Sequence, residues 1–316
     1  MNVMTAARPA PPLHDLLGAS FVFNARITAL AWDGGIACFG LGDGAVVMMP
    51  QRWEGAPSLR PRAGGGAEIV AGTSPPPPPA IVAAHQGTVL TLTSDPRGGV
   101  LSGGADGKFL RIADGKTTTI EEKPRREIAA VAAGRGGRRA FAAGRQVDRL
   151  GPEGGRLTTP GAVASLAYDP SGLHLAVGYQ GGVTLEAAGI RDAPAHEQAE
   201  TFLRLAWRRD GLAFAAAGEN SVVVRDRGEK SWRQMPALPG PPLALAYAAD
   251  GALIVAGADY VRCHRDGAAP FDLRAGMAAP IACHPRLNLL ACADPAGAIW
   301  LSTPGQPGAL LAREPG

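Results

Sequence analysis

The sequence predicts an all-β protein, a seven-bladed β-propeller of four-stranded antiparallel blades. Three observations carry the prediction: a repeat of blade length, short alternating apolar segments between tight turns, and no segment with a sustained helical period. A blade with two apolar faces cannot bury itself alone, so repeats of this kind pack radially around a channel.

Taken in order, residues 1–18 read as an N-terminal tail and residues 19–316 as a single propeller domain. The first repeat is ITALAWDGGIACFGLGDGAVVMM from Ile27, and a Gly/Pro-rich insertion at about 51–80 separates its third and fourth strands. That insertion holds Gly64 to Gly66 and the prolines Pro75 to Pro79. Proline cannot donate to a sheet ladder and favours a polyproline rod, so the run reads as a stiff surface linker, with an SH3-type ligand as the alternative. The second repeat, from Ala84, is the clearest: AHQGTVLTLTSDPRGGVLSGGADGKFLRIAD, three strands joined by an S-D-P-R-G-G turn and an A-D-G turn.

The same grammar recurs from Ile128, Val163, Phe202, Pro242 and Ala279. Anchored on Leu30, Leu92, Val131, Leu166, Leu205, Leu245 and Ile281, the spacings are 62, 39, 35, 39, 40 and 36, and the long first interval is the one with the insertion. An aromatic closes the first strand in four copies (Trp32, Tyr168, Trp207, Tyr247), with Cys283 in its place in the last; these residues are expected between neighbouring blades. Ring closure is expected from Phe21 to Phe23, joining the blade that holds Ala298 to Ser302, with Ala309 to Ala312 as the competing strand. An eight-bladed propeller lacking its last repeat is the alternative architecture.

In the second repeat His85, Ser102 and Asp106 stand where three members of a structural hydrogen-bond network stand in the WD-repeat family, with Ile112 where that family has Trp. The chain resembles that family from about residue 20 to its end. The A-C-H-P-R stretch at Ala282 to Arg286 is similar to uncharacterised WD-repeat proteins of GC-rich bacteria. The resemblance implies a bacterial interaction scaffold. It also implies that His85 ties the loop before the first strand to the second turn.

Composition narrows the function classes. Net charge is +3, and the basic residues are dispersed, without the concentrated stripe of a nucleic-acid binder, so no nucleic-acid partner is expected. No apolar run is long enough to span a bilayer, so no membrane partner is expected. The N-terminus shows no secretory pattern and the four cysteines (Cys38, Cys263, Cys283, Cys292) lack paired spacing; a cytoplasmic monomer is the expectation.

A search for chemistry returns little. Cys263-His264 and Cys283-His284 invite a zinc reading, but adjacent strand residues face opposite sides and no C-x-x-C occurs. His85 with Asp106 and Ser102 could form a general-base arrangement, yet no G-x-S-x-G is present and the structural reading is preferred. No Walker motif exists. Asp43, Asp106, Glu219, Asp259 and Asp294 fall on one end of the predicted ring, where a metal-binding propeller would place ligands, but Asp is also what tight turns prefer. No catalytic residue, metal or cofactor is therefore expected.

The opposite end collects the first turns, with Arg97, Arg135, Arg138, Arg139, Arg208, Arg209 and Arg286 among Asp33, Asp95, Asp169, Asp210 and Asp250. The expected function is a non-enzymatic scaffold for protein–protein interaction. Arg135, Arg138, Arg139, Arg208 and Arg209 are the candidate contacts for an acidic partner. The alternative is a propeller hydrolase or metal-binding protein with its site at the channel mouth.

Overall fold

The computed structural model describes residues 25–34, 36–50, 53–61, 67–152, 154–187, 195–229, 231–275, 281–283, 290–293, 298–302 and 309–313. These residues form seven antiparallel sheets, one for each repeat, and a separate hairpin. Six sheets have four strands. The fourth repeat has three, because its two middle strands run on as one stretch, His174–Ala187.

Each sheet is laid out from an inner to an outer strand. In the second repeat Val89–Ser94 is innermost, followed by Val100–Gly104, Lys108–Ala113 and Lys116–Glu122. Innermost strands of successive sheets pack on one another from Ile27–Asp33 through to Ile281–Cys283. The second strands Val100–Gly104, Ala213–Ala217 and Leu253–Gly257 are buried at every position, because a neighbouring sheet covers each face. Their Ala and Gly content keeps that double packing thin. The outer strand Lys116–Glu122 is polar and exposed over most of its length, as an edge must be.

The cores lie between the sheets. Phe109 and Phe141, with ring centroids 5.2 Å apart, join the second sheet to the third together with Leu101, Ile128 and Val131. Tyr168 packs at the third–fourth junction, Trp207 at the fourth–fifth, Tyr247 at the fifth–sixth and Cys283 at the sixth–seventh, as the repeat alignment predicts. The Trp207 indole N–H also donates to the Ala167 carbonyl of the preceding sheet at 3.2 Å. Burial pushes the Cys283 thiol up to about 12 and the Cys38 thiol up to about 11.

Turn aspartates act locally. Asp43, Asp95, Asp106, Asp210 and Asp250 each accept the backbone N–H two residues on, at 2.8 to 3.1 Å. Gly44 follows the first of these with φ +93°, and a Cβ there would lie 2.3 Å from the His85 carbonyl oxygen.

The seventh sheet holds one of the two strands expected at ring closure. Ala298–Ser302 is flanked by Leu290–Ala293 on one edge and Ala309–Arg313 on the other. The second edge of Ala298–Ser302 is thus taken by the strand expected as the competitor, Ala309 to Ala312; Phe21 to Phe23 lie outside the described residues, as do His284, Arg286 and Asp294. Within the region read as a linker, Ser58–Pro61 pairs with Ala67–Val70 as a hairpin. The Trp53 indole N–H donates to the Ser74 carbonyl at 3.1 Å, at the start of the proline run.

Candidate functional site

The His85 network forms as the repeat alignment places it. His85 Nδ1 lies 2.8 Å from Asp106 Oδ1 and Nε2 lies 2.8 Å from Ser102 Oγ. The carboxylate can only accept, so Nδ1–H donates to it and Nε2 accepts from the Ser102 hydroxyl. Asp106 also receives the Gln86 and Lys108 backbone N–H groups, at 3.0 and 3.1 Å. Burial alone would raise the Asp106 pKa, but these donors and His85 outweigh it and hold the carboxyl below its ordinary range. Ser102 is 0% exposed, and a substrate could reach its hydroxyl only by parting the blade.

Two further blades carry a clamp of the same kind with different atoms. Glu200 stands four residues before the innermost strand of the fifth sheet, as His85 does in the second. It accepts from the Ser221 hydroxyl and from the Asn220 backbone N–H, the latter at 2.8 Å. In the sixth sheet the Tyr260 hydroxyl donates to the Gly240 carbonyl at 2.9 Å. All three tie the segment that leads into a blade to that blade's second turn or third strand; for Glu200 the segment is the outer strand of the fourth sheet, Ala195–Thr201.

The arginines expected to form one docking surface divide between two junctions. Arg139 points to the second sheet, where it pairs with Asp95 at 2.5 Å beside Arg111 at 3.3 Å; Asp95 is 2% exposed, and the contact is part of the joint. Arg138 donates to the Arg135 carbonyl at 3.3 Å, within the turn that holds Arg135. Arg208 and Arg209 instead line a cleft toward the sixth sheet.

First turns and outermost turns open on the same end of each sheet, and at the fifth–sixth junction they converge. Two adjoining cavities, of about 660 and 610 Å³, share Arg208, Gly251, Arg265 and Asp266. Arg208 pairs with Asp210 at 3.0 Å and Arg265 with Asp250 at 2.7 Å. Arg233 reaches Asp226 at 4.0 Å and Asp266 at 3.4 Å, and Arg208 reaches Asp266 at 4.0 Å. Asp266 is therefore shared by two guanidiniums while its side chain is 76% exposed.

His264 and Tyr247 line the second cavity. On the strand Tyr260–His264, Val261 and Cys263 pack toward the seventh sheet and Tyr260 toward the fifth, so alternation turns His264 toward the fifth as well. His264 is 8% exposed, and its Nε2 has no hydrogen-bond partner among the described residues. Burial, seconded by the Arg262 charge, lowers its pKa and keeps the imidazole neutral at pH 7. Burial likewise raises the Tyr247 phenol. Among the described residues no group of three or more His, Cys, Asp or Glu side chains is placed to hold a metal ion.

No family model matches the chain, and no curated protein matches it in sequence. Solved structures do. The computationally designed Ika8 protein superposes with a TM-score of 0.65 at 17% identity, over 92% of this chain and 86% of that one. The β-propeller domain of Myceliophteria thermophila Cps50 (Swd1) superposes with a TM-score of 0.58 at 14% identity, over 87% of this chain and 94% of the other. Together with the sheets described above, these likenesses show that the chain has the all-β propeller fold.

Proposed function

We propose that the chain is a non-enzymatic, WD-repeat-like scaffold of the bacterial cytoplasm that docks a protein partner, and that docking centres on the cleft between the fifth and sixth blades. Propellers in general serve as interaction platforms, and fold alone does not choose among their uses. The observation that carries the reading is the contrast between two polar sets. Ser102, His85 and Asp106 are closed and mutually satisfied, whereas the cleft combines an ionic rim with the unpartnered, buried Nε2 of His264. Buried polar groups normally find a partner, and His264, in the wall of this cleft, carries an Nε2 shut off from solvent that has none among the described residues.

Arg208 and Arg209 belong to this surface, and Arg233, Arg265 and His264 extend it. Arg139 pairs with Asp95 at the joint between the second and third blades, and Arg135 and Arg138 lie in the first turn of the third. The test is photo-crosslinking in the source organism, with p-benzoylphenylalanine at Ala249 on the rim of the cleft and at Glu219 on the opposite end. A discrete protein adduct from Ala249 and none from Glu219 is expected. No adduct from Ala249, or the same adducts from both positions, would refute the assignment.

A further inference from the structure

We propose that a groove at the second turn of the third blade binds the free C-terminus of a partner chain that ends in an apolar residue. The terminal carboxylate sits between the Arg126 and Arg145 guanidiniums, and the last side chain lies on Ala129, Ala162 and Val163. The groove is on the opposite end of the sheets from the fifth–sixth cleft, so the proposal stands or falls independently of that surface.

The groove, of about 730 Å³, is built from three segments. Arg126, Glu127 and Ala129 precede the innermost strand Ala130–Ala133, and Gly144 and Arg145 form the second turn. Thr158 and Ala162 bracket the link from the outer strand Gly155–Thr158 to the fourth blade. That link is locked onto the turn. The Thr159 backbone N–H donates to the Arg145 carbonyl at 3.0 Å, and Arg145 Nε–H donates back to the Thr159 carbonyl at 2.9 Å. Thr159 is buried, so the base of the guanidinium is fixed while both terminal amines are left without a partner among the described residues. Arg126 makes one long bond, from Nη1 to Gln146 Oε1 at 3.4 Å.

Neither arginine has a carboxylate partner among the described residues, although acids stand close by. Glu127, in the same lining, pairs with neither. Lys123 and Arg156 hold Asp148, at 2.9 and 2.7 Å, and Asp106 already accepts from His85, Gln86 and Lys108. An incoming carboxylate therefore displaces water alone, with no internal anion to compete against it, and the planar forks of two guanidiniums suit it.

Exposed ion pairs are individually weak, so the apolar floor must contribute as well. Ala129, Ala162 and Val163 lie in the lining beside the two cations, and a side chain laid on them leaves water. A chain terminus carries its carboxylate and its last side chain on one carbon, so both reach the groove together. An acidic side chain presents its carboxylate at the end of a stem and brings no apolar group to the floor.

The test uses the full chain and fluorescence anisotropy of a labelled Gly-Ser-Gly-Ser-Leu peptide with a free C-terminus, beside its C-terminal amide. The free acid is expected to bind about tenfold more tightly than the amide. Arg126→Ala and Arg145→Ala are each expected to weaken the acid about three- to fivefold, the range of one exposed ion pair. Arg145→Lys, which keeps the charge without the fork, should recover part of the loss. In the double alanine variant the acid and the amide should bind alike, a comparison made within one protein. A peptide ending in Ser instead of Leu is expected to bind about fivefold more weakly, because the floor is left uncovered. Equal binding of acid and amide to the native chain, a preference for the acid that survives the double variant, or Arg145→Lys no better than Arg145→Ala would overturn the proposal. So would an amidated Gly-Ser-Glu-Ser-Gly peptide that binds as tightly as the free acid, which would assign the groove to acidic side chains.

Discussion

Replacing His85 with Ala tests whether the buried Ser-His-Asp set is a structural clamp. The imidazole makes two hydrogen bonds of 2.8 Å, one of them to a carboxylate, and its side chain is fully buried. Its removal forfeits a charge-assisted bond, worth about 1.5–3 kcal/mol, and leaves the buried Ser102 hydroxyl unsatisfied, costing about 1–3 kcal/mol. The two effects overlap in one network, so the expected loss is about 3 kcal/mol. Ser102→Ala removes only the neutral bond and is expected to cost about 1–2 kcal/mol, with the double variant less costly than the sum. Urea unfolding followed by intrinsic fluorescence measures the totals. Hydrogen exchange in peptides covering Ala84 to Lys108 shows whether the loss is local to the clamp. Asp106 adds a pH signature: its folded-state pKa is lowered, so its contribution is complete above its unfolded value of 3.8 and is lost as pH falls through the folded value. The penalty of His85→Ala should therefore shrink as pH falls below about 3.8, where protonation of Asp106 takes the charged acceptor from His85 in the native protein and the variant has no such bond to lose. A loss under about 0.5 kcal/mol, or strict additivity with Ser102→Ala, would refute the clamp.

Glu200→Ala is expected to cost about 2–3 kcal/mol, because the Ser221 hydroxyl and the Asn220 amide lose a common acceptor, while Glu200→Gln keeps an acceptor and costs less; urea midpoints separate the two. Gly44→Ala combines a left-handed backbone with a 2.3 Å approach to the His85 carbonyl and should lower stability by at least about 2 kcal/mol, read from the same titration. Cys38, Cys263 and Cys283 have thiols raised by burial, so a thiol reagent at pH 8 should leave them unlabelled in the native protein and label all three in urea, as peptide mass spectrometry would show.

The propeller was legible because its repeats announce themselves twice, in the spacing of Leu92, Val131, Leu166, Leu205, Leu245 and Ile281 and in the turns between the strands. The position of Tyr168, Trp207, Tyr247 and Cys283 between blades followed from that alignment, since a residue at the same place in each repeat meets the same neighbour. His85 was legible because it keeps an imidazole where the WD-repeat family has one. Glu200 holds the equivalent place unseen, because a carboxylate reverses the direction of the hydrogen bonds and so changes the partner residue types as well. Which of the arginines pair could not be read from the sequence. Arg139 finds Asp95 across 44 residues of sequence, and only the packed junction brings them together. Alternation did separate Cys263 from His264, and the structure sends the thiol toward the seventh sheet and the imidazole into the cleft toward the fifth. That His264 would be left without a partner depends on how the turn from Arg265 folds over, which no local pattern specifies. The hairpin Ser58–Pro61 with Ala67–Val70 was missed because glycine and proline on either side obscured two short strands.

The three blade clamps also bear on how such a chain avoids assembling wrongly. Repeats of similar length and similar core could exchange places, docking one incoming loop on the neighbour of its proper sheet and trapping a misthreaded ring. His85 needs an acceptor in Asp106, Glu200 needs donors in Ser221 and Asn220, and Gly240 needs the Tyr260 hydroxyl. Seating the strand of Glu200 on the turn of Asp106 would face two carboxylates with no proton between them, and seating His85 against Ser221 would forgo its charged acceptor. Drift away from a uniform repeat thus gives each blade its own key, and the correct order of the blades is favoured by bonds that only the correct neighbours can make.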